Sequence, residues 1–155
     1  MSMSDAETLT RLLHAVDRLD WAGVHGCLAD SVRSDYTELS GGGPETLASG
    51  DLVARWQGLL PGFEATQHLT GPVLLTTDEH PGVRAEAHVR AYHHLDGETW
   101  GVYGHYIARI THGKITELTL QVFYQDGNLD LPAKATQRAA TSPRPARVLA
   151  NSECR

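Results

Sequence analysis

The spacing of apolar residues changes from helical to alternating near the middle of the chain. Leu9, Leu12, Leu13 and Val16 recur at helical intervals and mark one face of an N-terminal helix, with Ser4 and Glu7 placed as a capping box ahead of it. Asp17 follows Leu13 by four residues and extends that same face. Asp20 is placed to cap a short second helix through Trp21, Val24 and Leu28. A strand is predicted over Val32 to Leu39, ended by the run Gly41-Gly42-Gly43-Pro44. A third helix follows from Asp51 to Leu60, with Leu52, Val53, Trp56, Leu59 and Leu60 apolar and Pro61-Gly62 as its stop.

Beyond that point the pattern is β. Thr66 to Thr77 reads as a strand weakened by Gly71-Pro72, and Arg84 to Leu95, Glu98 to Thr111 and Lys114 to Tyr124 read as three more. Asp96-Gly97 and His112-Gly113 separate the last three, and an Asp-Gly pair is a strong two-residue hairpin signal. Helices followed by a long antiparallel meander predict an α+β fold, a cone-shaped α+β barrel with the N-terminal helices packed in a curved mixed or antiparallel sheet. Such a cone offers a mouth for a small molecule.

Strand alternation sorts the side chains. Ala85, Ala87, Val89, Ala91 and His93 share one face, small and apolar, and so line the interior. A two-residue turn at Asp96-Gly97 sets His93 opposite Trp100, Ala91 opposite Val102, Val89 opposite Gly104 and Ala87 opposite Tyr106. If His112-Gly113 is also a two-residue turn, Gln121 and Phe123 face inward, while Leu118, Leu120 and Val122 join His88, Tyr103 and His105 on an outer face too apolar for open water. That face predicts a homo-oligomer, a dimer or trimer. A single bulge would exchange the two faces.

The chain has 155 residues and is one domain with a tail: the body is placed at 1–131. The Ala, Thr, Pro and Arg-rich segment 132–155 is read as a flexible C-terminal extension, with Leu129 and Leu131 folding back onto the body. A hydrophobic content of 41% and a net charge of −6 fit a globular protein and argue against a nucleic-acid partner. No apolar run is long enough to cross a bilayer, and Met1 to Thr10 has no signal core. The two cysteines, Cys27 and Cys154, are not expected to be joined, which places the protein in the cytoplasm. The nine histidines include no HExxH or Cys/His ligand spacing, so neither a metal nor a cofactor is implied. No Gly-x-Ser-x-Gly elbow is present for a serine nucleophile.

Four stretches, spread over Leu9 to Tyr124, resemble the SnoaL-like (nuclear-transport-factor-two-like) family, and the scytalone dehydratases within it. They are Asp17-Arg18-Leu19-Asp20-Trp21, Ser34-Asp35-Tyr36, Thr66-Gln67-His68 and Val89-Arg90-Ala91-Tyr92-His93. The resemblance implies that Asp17, Tyr36, His68 and His93 are pocket residues. The chain departs from the dehydratases at Val16, where they have a tyrosine, and at Gly104, where they have an asparagine; Tyr106 is a candidate replacement.

The chemistry this suggests is acid–base. Asp17 accepts a hydrogen bond from His93, His93 removes a proton beside a carbonyl, and Tyr36, with His68 or Tyr106, holds the oxygen. Trp56, Trp100, Tyr106, Gln121 and Phe123 complete the substrate pocket. The expected function is a lyase or isomerase acting on a small substrate, by dehydration of a polyketide- or steroid-like hydroxy-ketone. A cyclase or ketosteroid-isomerase type of enzyme is the alternative, and a non-catalytic ligand-binding module of the same fold is another. Each residue also has a structural reading: Asp17 as a solvated helix-end carboxylate, His68 as a strand-edge residue, His93 as a satisfied core histidine, and Tyr36 and Tyr106 as core aromatics. An Asp–His pair within hydrogen-bond reach beside an open cavity favours the enzyme.

Overall fold

The computed structural model describes residues 3–147. Helix α1 (Met3–Arg18) carries Leu9, Leu12, Leu13 and Val16 into the interior. Asp20 then caps α2 (Trp21–Cys27), its carboxylate accepting from the Gly23 amide at 3.0 Å. Strand β1 (Leu28–Asp35) begins four residues before its expected start and gives way to a single turn of helix, α3 (Thr37–Ser40). Strand β2 (Glu45–Ala48) leads into α4 (Ser49–Gln57), and a 3-10 turn spans Leu60–Gly62. Gly71-Pro72 splits the next strand into β3 (Ala65–Thr70) and β4 (Leu74–Thr76). The meander is β5 (Val83–Leu95), β6 (Glu98–Thr111) and β7 (Lys114–Gly127).

The strands form one unclosed, curved sheet in the order β2-β1-β7-β6-β5-β3, with β4 also paired to β5. The β1–β7 pairing is parallel and the others are antiparallel. Helix α1 lies against β3, β5, β6 and β7, so the helices sit inside the sheet. This is the α+β cone expected from the order of elements.

Both hairpins close through two residues with positive φ, Asp96-Gly97 at 53° and 75° and His112-Gly113 at 52° and 73°, as a type I′ turn requires. The first hairpin therefore holds the predicted register, with His93 opposite Trp100, Ala91 opposite Val102, Val89 opposite Gly104 and Ala87 opposite Tyr106. The second does not run straight. Ile110 pairs with Ile115 but Arg109 pairs with Glu117, so Thr116 is an extra residue in β7, and another irregularity follows at Tyr103/Gly104. The first bulge exchanges the faces of β7: Ile115, Leu118 and Leu120 are buried, and the inner face expected of Gln121 and Phe123 is corrected to the outer one. At the second irregularity the β7 backbone approaches so closely that a Cβ on Gly104 would lie 1.9 Å from the carbonyl oxygen of Gln121. No asparagine fits that place.

The segment after residue 131 also differs from expectation. Leu131–Thr141 is a helix, α5, with Pro132 in its first turn and Leu131 and Ala135 fully buried against the Leu60–Gly62 turn. Leu131 and Ala135 share one hydrophobic core with Leu9 and Ala85, so the boundary placed at 131/132 is not a domain boundary, and 132–141 is not a flexible tail. Leu129, by contrast, is exposed. Cys27 is disulfide-bonded, contrary to the expected absence of a bridge, while Cys154 lies outside the described residues. Among the described residues no helix is long and apolar enough to cross a membrane.

Candidate active site

A cavity of about 260 Å³ opens between α1, α4 and the concave face of the sheet. Its walls are mainly aliphatic, from Leu12, Val16, Leu52, Val89 and Val102 among others, with Trp56 and Trp100 as larger surfaces. The polar groups that reach it include Tyr36, His68, His93 and Tyr106. This is the usual composition of a small-molecule site: an apolar container with few polar groups.

Asp17 stands behind that wall, at the last turn of α1. Its Oδ1 lies 2.6 Å from Nδ1 of His68, its Oδ2 accepts from the His68 amide at 2.8 Å, and the Thr66 hydroxyl donates to Oδ1 at 3.0 Å. Thr66 and His68 are two residues apart on β3, so both point to the same face, and the strand holds them against the end of α1. Burial raises the pKa of Asp17. The hydrogen bonds and charge of His68, with help from Thr66, outweigh burial and leave it below the ordinary value. A carboxylate facing Nδ1 fixes the ring proton there and leaves Nε2, on the ring's far side, as the basic atom.

His93 is deeper, 5% exposed, stacked on Trp100 at 4.3 Å between ring centroids and close to Phe63 at 5.0 Å. Its Nδ1 donates to the carbonyl of Trp100 at 3.0 Å. The expected hydrogen bond from His93 to Asp17 is therefore corrected: the backbone takes His93, and the carboxylate takes His68. Burial, reinforced by the nearby His68, pushes the pKa of His93 down to about 3, so its ring is neutral at pH 7. The two imidazoles meet edge to face, 5.8 Å between centroids.

Tyr36 follows the end of β1, and its hydroxyl bonds to that of Tyr106 on β6. Burial raises both phenols, Tyr106 to about 12 and Tyr36 well above its ordinary value. Both phenols line the cavity.

Trp56, Trp100 and Tyr106 line the cavity as expected, but Gln121 and Phe123 do not. Gln121 faces outward opposite His105, and Phe123 is 63% exposed, near the rings of His88 and His105. On β7 it is Leu120 that lines the cavity, and Gln125, farther along the strand, accepts from the Trp100 indole at 2.9 Å. Thr66 was legible as the residue alternating with His68. Arg144 left no sequence signal. Among the described residues no group of three or more His, Cys, Asp or Glu side chains is arranged to hold a metal ion.

Solved structures share this architecture. The Kfla4162 protein of Kribbella flavida is 24% identical over 86% of this chain and 95% of its own, with a TM-score of 0.72. A scytalone dehydratase candidate from Novosphingobium aromaticivorans is 13% identical over 77% of this chain and 82% of its own, with a TM-score of 0.63. A type 2 hexachlorocyclohexane dehydrochlorinase, LinA, is 14% identical over 79% and 84%, with a TM-score of 0.61. At these identities the likeness is one of fold. No curated protein sequence matches the chain. The SnoaL-like domain model matches residues 6–127, which include the helix end bearing Asp17, both histidine-bearing strands and the two tyrosines. The chain belongs to the SnoaL-like family, within the nuclear-transport-factor-two-like superfamily.

Proposed function

We propose that the protein is a lyase or isomerase that moves a proton beside a ketone, with His68 as the base and Asp17 as the residue that orients it. The observation that carries this reading is the 2.6 Å contact between Asp17 and the Nδ1 side of a histidine whose ring also borders an apolar cavity. His93 is a poor base by comparison, because a pKa near 3 leaves little driving force for accepting a proton at pH 7. Its role is to shape the cavity and to offer the lone pair of Nε2 as an acceptor for a substrate hydroxyl.

For a β-hydroxy-ketone the steps balance as an elimination. Nε2 of His68 takes the proton from the carbon next to the carbonyl, and the electron pair moves onto the carbonyl oxygen. Tyr106, hydrogen-bonded to Tyr36 and lining the cavity, donates to that oxygen and stabilises the enolate. When the carbonyl re-forms, the electron pair expels the β-hydroxyl, which leaves as water with the proton from His68. Returning the proton to a different carbon gives a double-bond shift, and addition of the enolate to a second carbonyl gives cyclisation. The aliphatic walls favour a cyclic, polyketide- or steroid-like skeleton over a charged one. The open cavity and the paired carboxylate favour an enzyme over a binding module.

The test is a panel of cyclic β-hydroxy-ketones incubated with the protein in D2O, with deuterium entry beside the carbonyl and loss of water followed by NMR. His68→Gln is expected to lower turnover by about 10²-fold or more, and Asp17→Asn by about 10- to 100-fold. Full activity in both variants would remove the basis of the mechanism.

A further inference from the structure

The carboxylate of Asp17 has a neighbour from the far end of the chain. After α5 the backbone turns back over the base of α1: the Arg144 amide donates to the Pro61 carbonyl at 2.8 Å, and the Arg147 amide to the Arg18 carbonyl at 2.8 Å. The guanidinium of Arg144 forks. Its Nη1 donates to the Asp17 carbonyl at 3.4 Å, and its Nη2 to Oγ1 of Thr66 at 3.4 Å. The first contact satisfies an acceptor left over at the end of a helix. The second occupies a lone pair on the hydroxyl whose proton points at Asp17 Oδ1. Arg144 thus touches both supports of the carboxylate without entering the cavity.

We infer that Arg144 is a positioning residue for the Asp17–His68 pair, holding Thr66 and the end of α1 so that the carboxylate keeps its contacts on His68, and placing a positive charge behind it. This rests on the reading of that pair as the proton-transfer apparatus. The charge acts in a definite direction. Other ionisable groups around the pair are His93 from β5 and Tyr106 from β6, while Arg147 acts on Arg144 from the same segment. His93 is neutral at pH 7 and Tyr106 holds its proton, so neither supplies a cation. The Arg144 guanidinium is itself partly withdrawn from water: burial pulls its pKa down, and the Asp17 carboxylate pulls it back up. An arginine remains charged under such opposition, and its planar fork suits two acceptors at once. A cation there disfavours any added proton on the pair. It therefore keeps the carboxylate ionised and the imidazole ready to accept.

The experiment is an NMR titration of the pair, read from the His68 ring nitrogens and the Asp17 carboxyl carbon in the full chain, alongside the pH profile of kcat/KM on a ketone that is turned over. Arg144→Gln removes the charge and is expected to move the pair's titration, and the acid limb of the profile, to higher pH by about 0.5 unit or more. Arg144→Lys, which keeps the charge, is expected to restore most of that shift. Thr66→Val cuts the hydroxyl link and is expected to move the titration in the same direction, which provides a reading should Arg144→Gln not fold. An unmoved titration in whichever of these two variants folds overturns the inference. The two failures are separable. Loss of turnover in His68→Gln with no shift in Arg144→Gln sinks only the positioning role. Full turnover in His68→Gln and Asp17→Asn sinks the catalytic reading, whatever the titration does.

Discussion

Gly62→Ala tests how α5 is held. A Cβ at Gly62 would fall 1.7 Å from the carbonyl oxygen of Ala135, 2.5 Å from its carbonyl carbon and 2.8 Å from its Cα. These are backbone atoms in the middle of α5, so no side-chain rotation relieves the overlap and the helix itself must move. Forcing one extra methyl into a tight contact costs about 1–3 kcal/mol. Releasing the helix instead returns Leu131, 0% exposed, to water at about 1.5–3 kcal/mol. The cheaper route sets the loss, so about 2 kcal/mol is expected, which for a chain of this size is a fall of roughly 4–8 °C in Tm. Urea unfolding separates the routes: a strained but docked helix lowers the midpoint at constant m, whereas an undocked one also lowers m, because less surface remains to be exposed. Gly50→Ala is the control, since nothing lies within 4 Å of a Cβ there and α4 gains a better helix former. A Gly62→Ala protein within about 0.5 kcal/mol of wild type would refute the packing argument. If α5 undocks, Arg144 leaves with it, and the pair's titration should shift as in Arg144→Gln.

Three other outcomes are expected. The His93 ring stays neutral in the folded protein down to about pH 3 but takes up a proton near 6.5 when unfolded, so between those values the unfolded state binds the extra proton and stability falls as pH falls. In His93→Gln, urea midpoints measured from pH 7 to 4 should decline less steeply than in wild type, and an equal slope would mean the ring is not shielded. Tyr106→Phe should lower turnover by about 10-fold or more with little change in Tm, because it removes a cavity-lining donor while keeping the ring that packs in the core; unchanged turnover would move the oxygen-holding donor to another residue. We propose that the outer sheet face, where Phe123 is 63% and Tyr124 61% exposed, pairs with a second copy of the chain; light scattering should show Phe123→Ser shifted toward monomer with the cavity chemistry intact, and an unchanged mass would move the interface elsewhere.

What the sequence disclosed depended on how tightly each register was tied. The β5–β6 hairpin closes through two residues, and a closed turn fixes every pair beyond it, so the facing of His93, Trp100 and Tyr106 could be counted outward from Asp96-Gly97. The β6–β7 hairpin closes as tightly, yet the inserted Thr116 reversed the side chains from Glu117 to Val122 until the second irregularity restored the phase, and nothing in Lys114 to Glu117 marks a bulge. Gln121 and Phe123 were lost to the outside through these irregularities. The Ala and Thr content of 132–141 suggested an extension without structure, although Pro132 at the helix start and the i, i+4 pair Leu131 and Ala135 are the ordinary signs of a short amphipathic helix.

The partner of Asp17 was illegible for a different reason. β3 and β5 are joined through β4 and the Asp78–Gly82 loop rather than a tight turn, so no count of residues fixes their register. In the structure Thr66 lies opposite His93 and His68 opposite Ala91, which places two imidazoles on one inner face within reach of one helix end. Which of them meets the carboxylate is decided by depth. His93 lies where the sheet is closed over by Trp100 and Phe63, and the Trp100 carbonyl already holds its Nδ1 proton. His68 lies where α1 ends, against a largely buried carboxylate that needs a partner. The depth that made His93 attractive as a shielded catalytic group also withholds the solvation its charged form would need. The histidine nearer the edge of the core, with a carboxylate on one side and the cavity on the other, is for these reasons the one we propose as the base.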